Sequence, residues 1–215
     1  METEFIYYRH TTPVGIKVEE ISGCEHKSGN VWCELAKQVY YENGKNGYRF
    51  LEHFPSGAPY LDGENSRISI SHTNHLLVVA SLPNTPEADL SVFSPRTALG
   101  VDVEKADRTQ VLKIREKFLS KEELSLISDS DIITNIVAWT AKEAIYKAAL
   151  IPGIEFKSQI LISTLPNLKT DCKGSAIIIN NDGSTIDFLL YSYESDGYII
   201  TIAYSPKSAT FKKRK

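Results

Sequence analysis

From Asp131 to Leu150 the chain carries no glycine and no proline and is rich in alanine; Ile151-Pro152-Gly153 then closes the stretch. Alanine and straight-chain residues are the strongest helix formers and a Pro-Gly pair is a stop signal, so 131–150 reads as one long helix. At 3.6 residues per turn, Trp139, Glu143 and Lys147 share one stripe, with Val137, Ala141, Ala144, Ile145 and Ala148 on the opposite side. A helix with one apolar side must bury it, and the segments after Ile154 offer strands for the purpose: Phe156 to Ser163, Ser175 to Asn180, Thr185 to Tyr193 and Tyr198 to Ser205. Asn181-Asp182-Gly183 and Ser195-Asp196-Gly197 are hairpin turns between them.

Before the long helix, Thr97 to Glu104 reads as a strand and Gln110 to Phe118 as a short helix. Ser120 followed three residues later by Glu123 is a capping box that restarts a helix. Earlier still, Phe5 to Tyr8, Gly15 to Ile21, Tyr48 to Phe54, Ser66 to Ser71 and Leu76 to Leu82 have strand character, and Ser28 to Glu42 suits a helix. Pro83 to Pro95, with three prolines, reads as a long surface loop. The mixture predicts an α+β fold.

The chain has 215 residues, 42% apolar and 24% charged, as expected of a soluble globular protein. A net charge of −3 argues against a general nucleic-acid binder. Three cysteines, Cys24, Cys33 and Cys172, without CxxC spacing suit a reducing cytosol. With no apolar run of signal or membrane-span length, the expectation is a cytoplasmic protein. The tail, Lys207 to Lys215, is basic and expected to be disordered.

Two spots carry chemistry. On a strand, Asp102 and Glu104 project to one face, while Val101 and Val103 point to the core. Neighbouring carboxylates beside an apolar core are costly unless a cation lies between them, and oxygen-only ligands suit magnesium; an exposed strand end with solvated acids is the other reading. Glu143 and Lys147 are spaced as a surface ion pair, which explains them equally well in isolation. A hairpin through His72 to His75 puts Ser71 and His72 at a strand end, where they can meet a ligand or simply form a turn.

Taken in order, Ile70-Ser71-His72-Thr73, Gly100-Val101-Asp102-Val103-Glu104, Phe118-Leu119-Ser120 with Glu123, and Trp139-Thr140-Ala141-Lys142-Glu143 with Lys147 resemble the 4′-phosphopantetheinyl transferases of the surfactin-synthetase-activating type, over roughly Tyr48 to Tyr204. The resemblance implies two similar α/β subdomains related by a pseudo-twofold, here 1–96 and 97–206, with 207–215 as tail and coenzyme A in the cleft between them. It implies transfer of phosphopantetheine from coenzyme A to a serine of an acyl or peptidyl carrier protein, an acidic partner, by a monomeric enzyme. By resemblance Asp102, Glu104 and Glu143 hold magnesium, and Glu143 is also a candidate base. Lys147 binds a phosphate oxygen, and Ser71 and His72 hold coenzyme A phosphates. Lys142 is a phosphate or carrier contact, Glu123 an auxiliary base, and Trp139 packing. The family's Gly-Lys-Pro turn is Gly57-Ala58-Pro59 here, which removes a lysine near the adenine. Lys37, Lys45 and Arg49 are candidates for the 3′-phosphate, and Lys113, Arg115, Lys117 and Lys121 for carrier docking. A catalytically silent relative that binds coenzyme A or a carrier is the alternative. An unrelated magnesium phosphotransferase would want a GxxxxGK[ST] loop, which the sequence lacks.

Overall fold

The computed structural model describes residues 6–12, 16–22, 51–61, 65–94, 97–205 and 212–213. Helix 28–42 and the candidates Lys37, Lys45 and Arg49 lie outside them. Two antiparallel sheets dominate. The first is built from β1 (Ile6–Thr11), β2 (Lys17–Ser22), β5 (Ser66–His72) and β6 (Leu76–Pro83), in the order β1-β2-β6-β5. Between β2 and β5, a small hairpin pairs β3 (Leu51–His53) with β4 (Pro59–Leu61).

The second sheet contains β7 (Leu99–Lys105), β8 (Ile160–Thr164), β9 (Lys173–Ile179), β10 (Ser184–Ser195) and β11 (Tyr198–Tyr204), in the order β7-β11-β10-β9-β8. Gly183, Asp196 and Gly197 take positive φ in the two hairpin turns, the conformation such turns require. A two-residue strand, β12 (Lys212–Lys213), pairs with β10. The Pro-rich segment differs from a plain loop, because it holds one helical turn, α1 (Glu87–Leu90).

Among the described residues three further helices precede β8: α2 (Gln110–Phe118), α3 (Lys121–Leu126) and α4 (Ile132–Ala149). None of the described helices is long and apolar enough to cross a membrane. The α4 start is capped by the Asp131 side chain, which accepts from the Thr134 amide at 3.0 Å, and Leu150 ends it in the left-handed conformation. Ala141, Ala144, Ile145 and Ala148 of α4 pack on Ile160, Ile178, Phe188 and Leu190 of the sheet. The helix lies close to β7 because both partners are small there. A Cβ on Gly100 would stand 1.9 Å from the Ala144 carbonyl oxygen and 2.8 Å from the Ala148 nitrogen. A chain of buried hydroxyls fixes the helix rotation: Thr140 Oγ1 to Thr201 Oγ1 at 2.7 Å, and Thr201 to Ser192 Oγ at 2.8 Å. Buried hydroxyls need partners, so turning the helix would strand them.

The two sheets share a core. Val18, Val78 and Ala80 of the first pack with Val101, Val103, Ile200 and Ile202 of the second. Their edge strands, β5 and β7, face each other without a backbone ladder, and side chains fill the gap: Ser69 Oγ accepts from the Val101 amide at 3.0 Å. A free strand edge leaves polar groups unpaired, and here hydroxyls supply them.

Candidate functional site

A cavity of about 1030 Å³ opens where the end of β5, the end of β7 and the outer stripe of α4 meet. It brings together Ser71, His72, Asp102, Glu104, Glu143 and Lys147, six residues spread over 77 positions of the sequence, from Ser71 to Lys147. The two-residue period of β7 sends Asp102 and Glu104 to the α4 side, and the close approach at Gly100 lets the helix present Glu143 and Lys147 to them.

Asp102 is 7% exposed and both its neighbours bind the same oxygen: Oδ1 accepts from Ser71 Oγ at 2.9 Å and from Lys147 Nζ at 2.8 Å. Its other oxygen, Oδ2, is buried with no hydrogen-bond partner. Glu104 repeats the pattern, with Oε1 accepting from the Trp139 indole at 3.1 Å and from the Arg108 guanidinium. Lys147 therefore pairs with Asp102, not with Glu143 as the helical spacing alone suggests; it also donates to Ser71 Oγ and to the Val101 carbonyl, each at 3.0 Å. Glu143 has no salt bridge among the described residues. Burial pushes its pKa up to about 7, helped by the negative charges of Asp102 and Glu104 and opposed by Lys147 and Arg108.

Among the described residues, no three acidic, histidine or cysteine side chains converge closely enough to hold a metal ion unaided. The chemistry of the acids nonetheless fits a hard divalent cation. Asp102 keeps a buried oxygen free, and Glu143 has its pKa raised by burial first and by the adjacent Asp102 and Glu104 carboxylates second. Magnesium takes only one or two carboxylates as a rule and completes its shell with water and substrate phosphate.

His72 and Lys147 also line a second cavity of about 620 Å³, with His53, Gly57, Arg67 and Tyr146. Arg67, His53, Tyr146 and Arg108 escape a reading of the sequence. Arg67 is 2% exposed and donates to the Leu90 carbonyl, its Nε has no partner, and burial lowers its pKa to about 10. The available signal is an arginine on the same face of β5 as Ser69 and Ser71. Ala58, in the turn that departs from Gly-Lys-Pro, is buried in the wall of the same cavity.

Two expected site residues lie elsewhere. The Lys142 side chain is fully buried, its Nζ bonded to Glu123 Oε2 at 2.7 Å and to the carbonyls of Phe156 at 2.9 Å and Ile160 at 2.7 Å. Glu123 accepts in addition from the Ser120 amide at 2.7 Å and the Ile162 amide at 2.8 Å. Neither lines the cavity: both side chains are taken up in the contact between α3, α4 and β8, away from the acids. The reason is helical geometry: one residue along α4 turns about 100° and points the lysine at β8. The capping role of Glu123 is as the sequence predicts. Of the basic docking candidates, Lys113, Lys117 and Lys121 are exposed. Arg115 is tied to Asn135 Oδ1 at 3.0 Å and to the Ile127 carbonyl, and so braces the turn before α4.

With this geometry in hand, the comparisons with known proteins give two results. Residues 98–203, from just before β7 to the penultimate residue of β11, match the family model described as the 4′-phosphopantetheinyl transferase superfamily. No curated protein matches the chain.

Proposed function

Since residues 98–203 match the family model of the 4′-phosphopantetheinyl transferase superfamily, we propose that the chain moves the phosphopantetheine arm of coenzyme A to a serine hydroxyl of an apo acyl or peptidyl carrier protein. The observation that carries this reading is the gathering of Asp102, Glu104, Glu143 and Lys147 on one cavity, all within the matched residues. In this reading the two sheets belong to subdomains 1–96 and 97–206 related by a pseudo-twofold, and coenzyme A lies along the cavities between them.

The reaction joins the serine oxygen to the phosphorus that carries the pantetheine arm. The bond from that phosphorus to the bridging oxygen breaks, and adenosine 3′,5′-bisphosphate leaves with the electron pair. Asp102, Glu104 and Glu143 would hold magnesium, which when bound offsets the charge of the pyrophosphate. The protein's own groups supply the rest. Glu143, with a pKa near neutrality in the metal-free protein, takes the serine proton directly or through one water. Lys147 reaches over the cavity from Asp102 and binds a phosphate oxygen of the pyrophosphate. Ser71 and His72 stand at the same mouth from the first sheet and hold the nucleotide phosphates.

Incubation with magnesium, coenzyme A and an apo carrier should add one phosphopantetheine mass to the carrier serine, and Glu143→Ala should abolish this while leaving the fold intact by circular dichroism. No modification across carriers of fatty-acid, polyketide and nonribosomal-peptide type, with wild-type protein that is folded and binds coenzyme A, would convert the reading to that of a silent relative.

A further inference from the structure

The indole of Trp139 has more to do than pack. Its ring stands edge-on to Phe118 at 5.0 Å between centroids and tilted to Phe156 at 6.0 Å, which fixes its plane. From that fixed plane Nε1 donates to Glu104 Oε1 across 35 positions of sequence. The Arg108 guanidinium, four residues after Glu104 in the turn that follows β7, binds the same oxygen. Two donors on one oxygen leave Oε2 with no protein partner among the described residues, and Glu104 lines the cavity. The arrangement matches that of Asp102, whose Oδ1 is bound by Ser71 and Lys147 while Oδ2 is empty. Each strand carboxylate is thus gripped by one oxygen and offers the other.

We infer that Trp139 is a positioning residue: together with Arg108 it clamps Glu104 by Oε1 so that Oε2 is presented to a divalent cation. The inference rests on the transferase reading only for the use of that cation; the clamp itself is a property of β7 and α4. A carboxylate free to rotate would spend most of its time solvated or turned to Arg108, and each cation bound would have to recapture it. A rigid aromatic donor removes that loss, and partners of this kind are typically worth ten- to a hundredfold in metal affinity. Phenylalanine keeps an aromatic ring beside Phe118 and Phe156 and removes the N–H donor together with part of the indole bulk.

The test is calorimetric titration of magnesium into the full chain, with and without coenzyme A, for wild type and Trp139→Phe. The expected result is binding weakened about tenfold in Trp139→Phe, with coenzyme A affinity in EDTA unchanged. Equal magnesium affinity in the two proteins, or no magnesium binding by wild type under either condition, overturns the inference. Should Trp139→Phe fail to fold, a second measurement decides. In a Trp32→Phe chain Trp139 is the sole indole, since the sequence has two tryptophans. Its emission should shift on magnesium addition with the calorimetric midpoint, and constant emission at saturation overturns the inference. The two readings fail separately. Wild type that binds magnesium but modifies no carrier sinks the transferase and leaves the clamp; wild type that modifies carriers while Trp139→Phe binds magnesium undiminished sinks the clamp alone.

Discussion

Replacing Lys142 by methionine separates a structural lysine from a substrate-binding one. The change keeps the length of the side chain and its apolar stem, and deletes an ammonium that has three hydrogen-bond partners. Glu123 then keeps two amide donors under α4, Ser120 and Ile162, and loses its counter-charge. Breaking one side of a buried ion pair typically costs about 3–5 kcal/mol, because the surviving charge is left uncompensated. For a chain of this size each kcal/mol moves the melting midpoint by about 2–4 °C, so Lys142→Met should melt about 6–20 °C below wild type. Adding Glu123→Gln to it removes the orphaned charge and should recover at least half of the loss, a coupling that denaturant titrations of the two singles and the double variant will measure. The Michaelis constant for coenzyme A should stay within twofold in whatever variant remains folded at the assay temperature. A Lys142→Met protein as stable as wild type but with a Michaelis constant raised tenfold or more would refute the reasoning and return Lys142 to the phosphates.

Other outcomes follow from the same geometry. Glu143 titrates near 7 in place of the ordinary 4.5, so between those values the folded state binds more protons than the unfolded one and metal-free stability falls as pH rises. The full shift would correspond to about 3.4 kcal/mol at 1.36 per pH unit; because Glu143 is partly solvated, about 1–2 kcal/mol is the expected loss, read from urea unfolding at pH 5 and pH 8 in EDTA and absent in Glu143→Gln. Gly100→Ala drives a methyl into the Ala144 carbonyl, so it should destabilise by about 1–3 kcal/mol or more and depress turnover by moving Glu143 and Lys147 off β7, measured by thermal melts beside the carrier assay. Asp102→Ala should leave a folded protein with turnover reduced at least a hundredfold, and retained turnover would remove Asp102 from the site.

Much of the second half was legible because local rules decide it. The α2 helix begins and ends where the apolar spacing puts it, the long helix is bounded by its Asp131 cap and Leu150, and the capping box of Ser120 and Glu123 forms as its spacing demands. The period of two in β7 likewise sets Asp102 and Glu104 on one face and Val101 and Val103 on the other. What was not legible depends on elements far apart in sequence. A helical wheel gives the direction of Lys142 but not that Glu123 and the start of β8 wait there. Trp139 meets Glu104, and Lys147 meets Asp102 in place of its helical neighbour Glu143, only where α4 lies against β7. The α1 turn is too short, and too rich in flanking proline, to leave a periodic signal.

The ammonium of Lys147 has three hydrogens and, in this protein, three acceptors: a hydroxyl from one sheet, a carbonyl and a carboxylate from the other. Its donor valence is saturated before any substrate arrives. A fourth oxygen can be taken on only by sharing or surrendering one of these contacts, so the grip on a pyrophosphate and the fastening of β5 to β7 draw on the same three protons. Seating of the substrate and tightness of the joint between the sheets are thereby coupled through a single nitrogen atom.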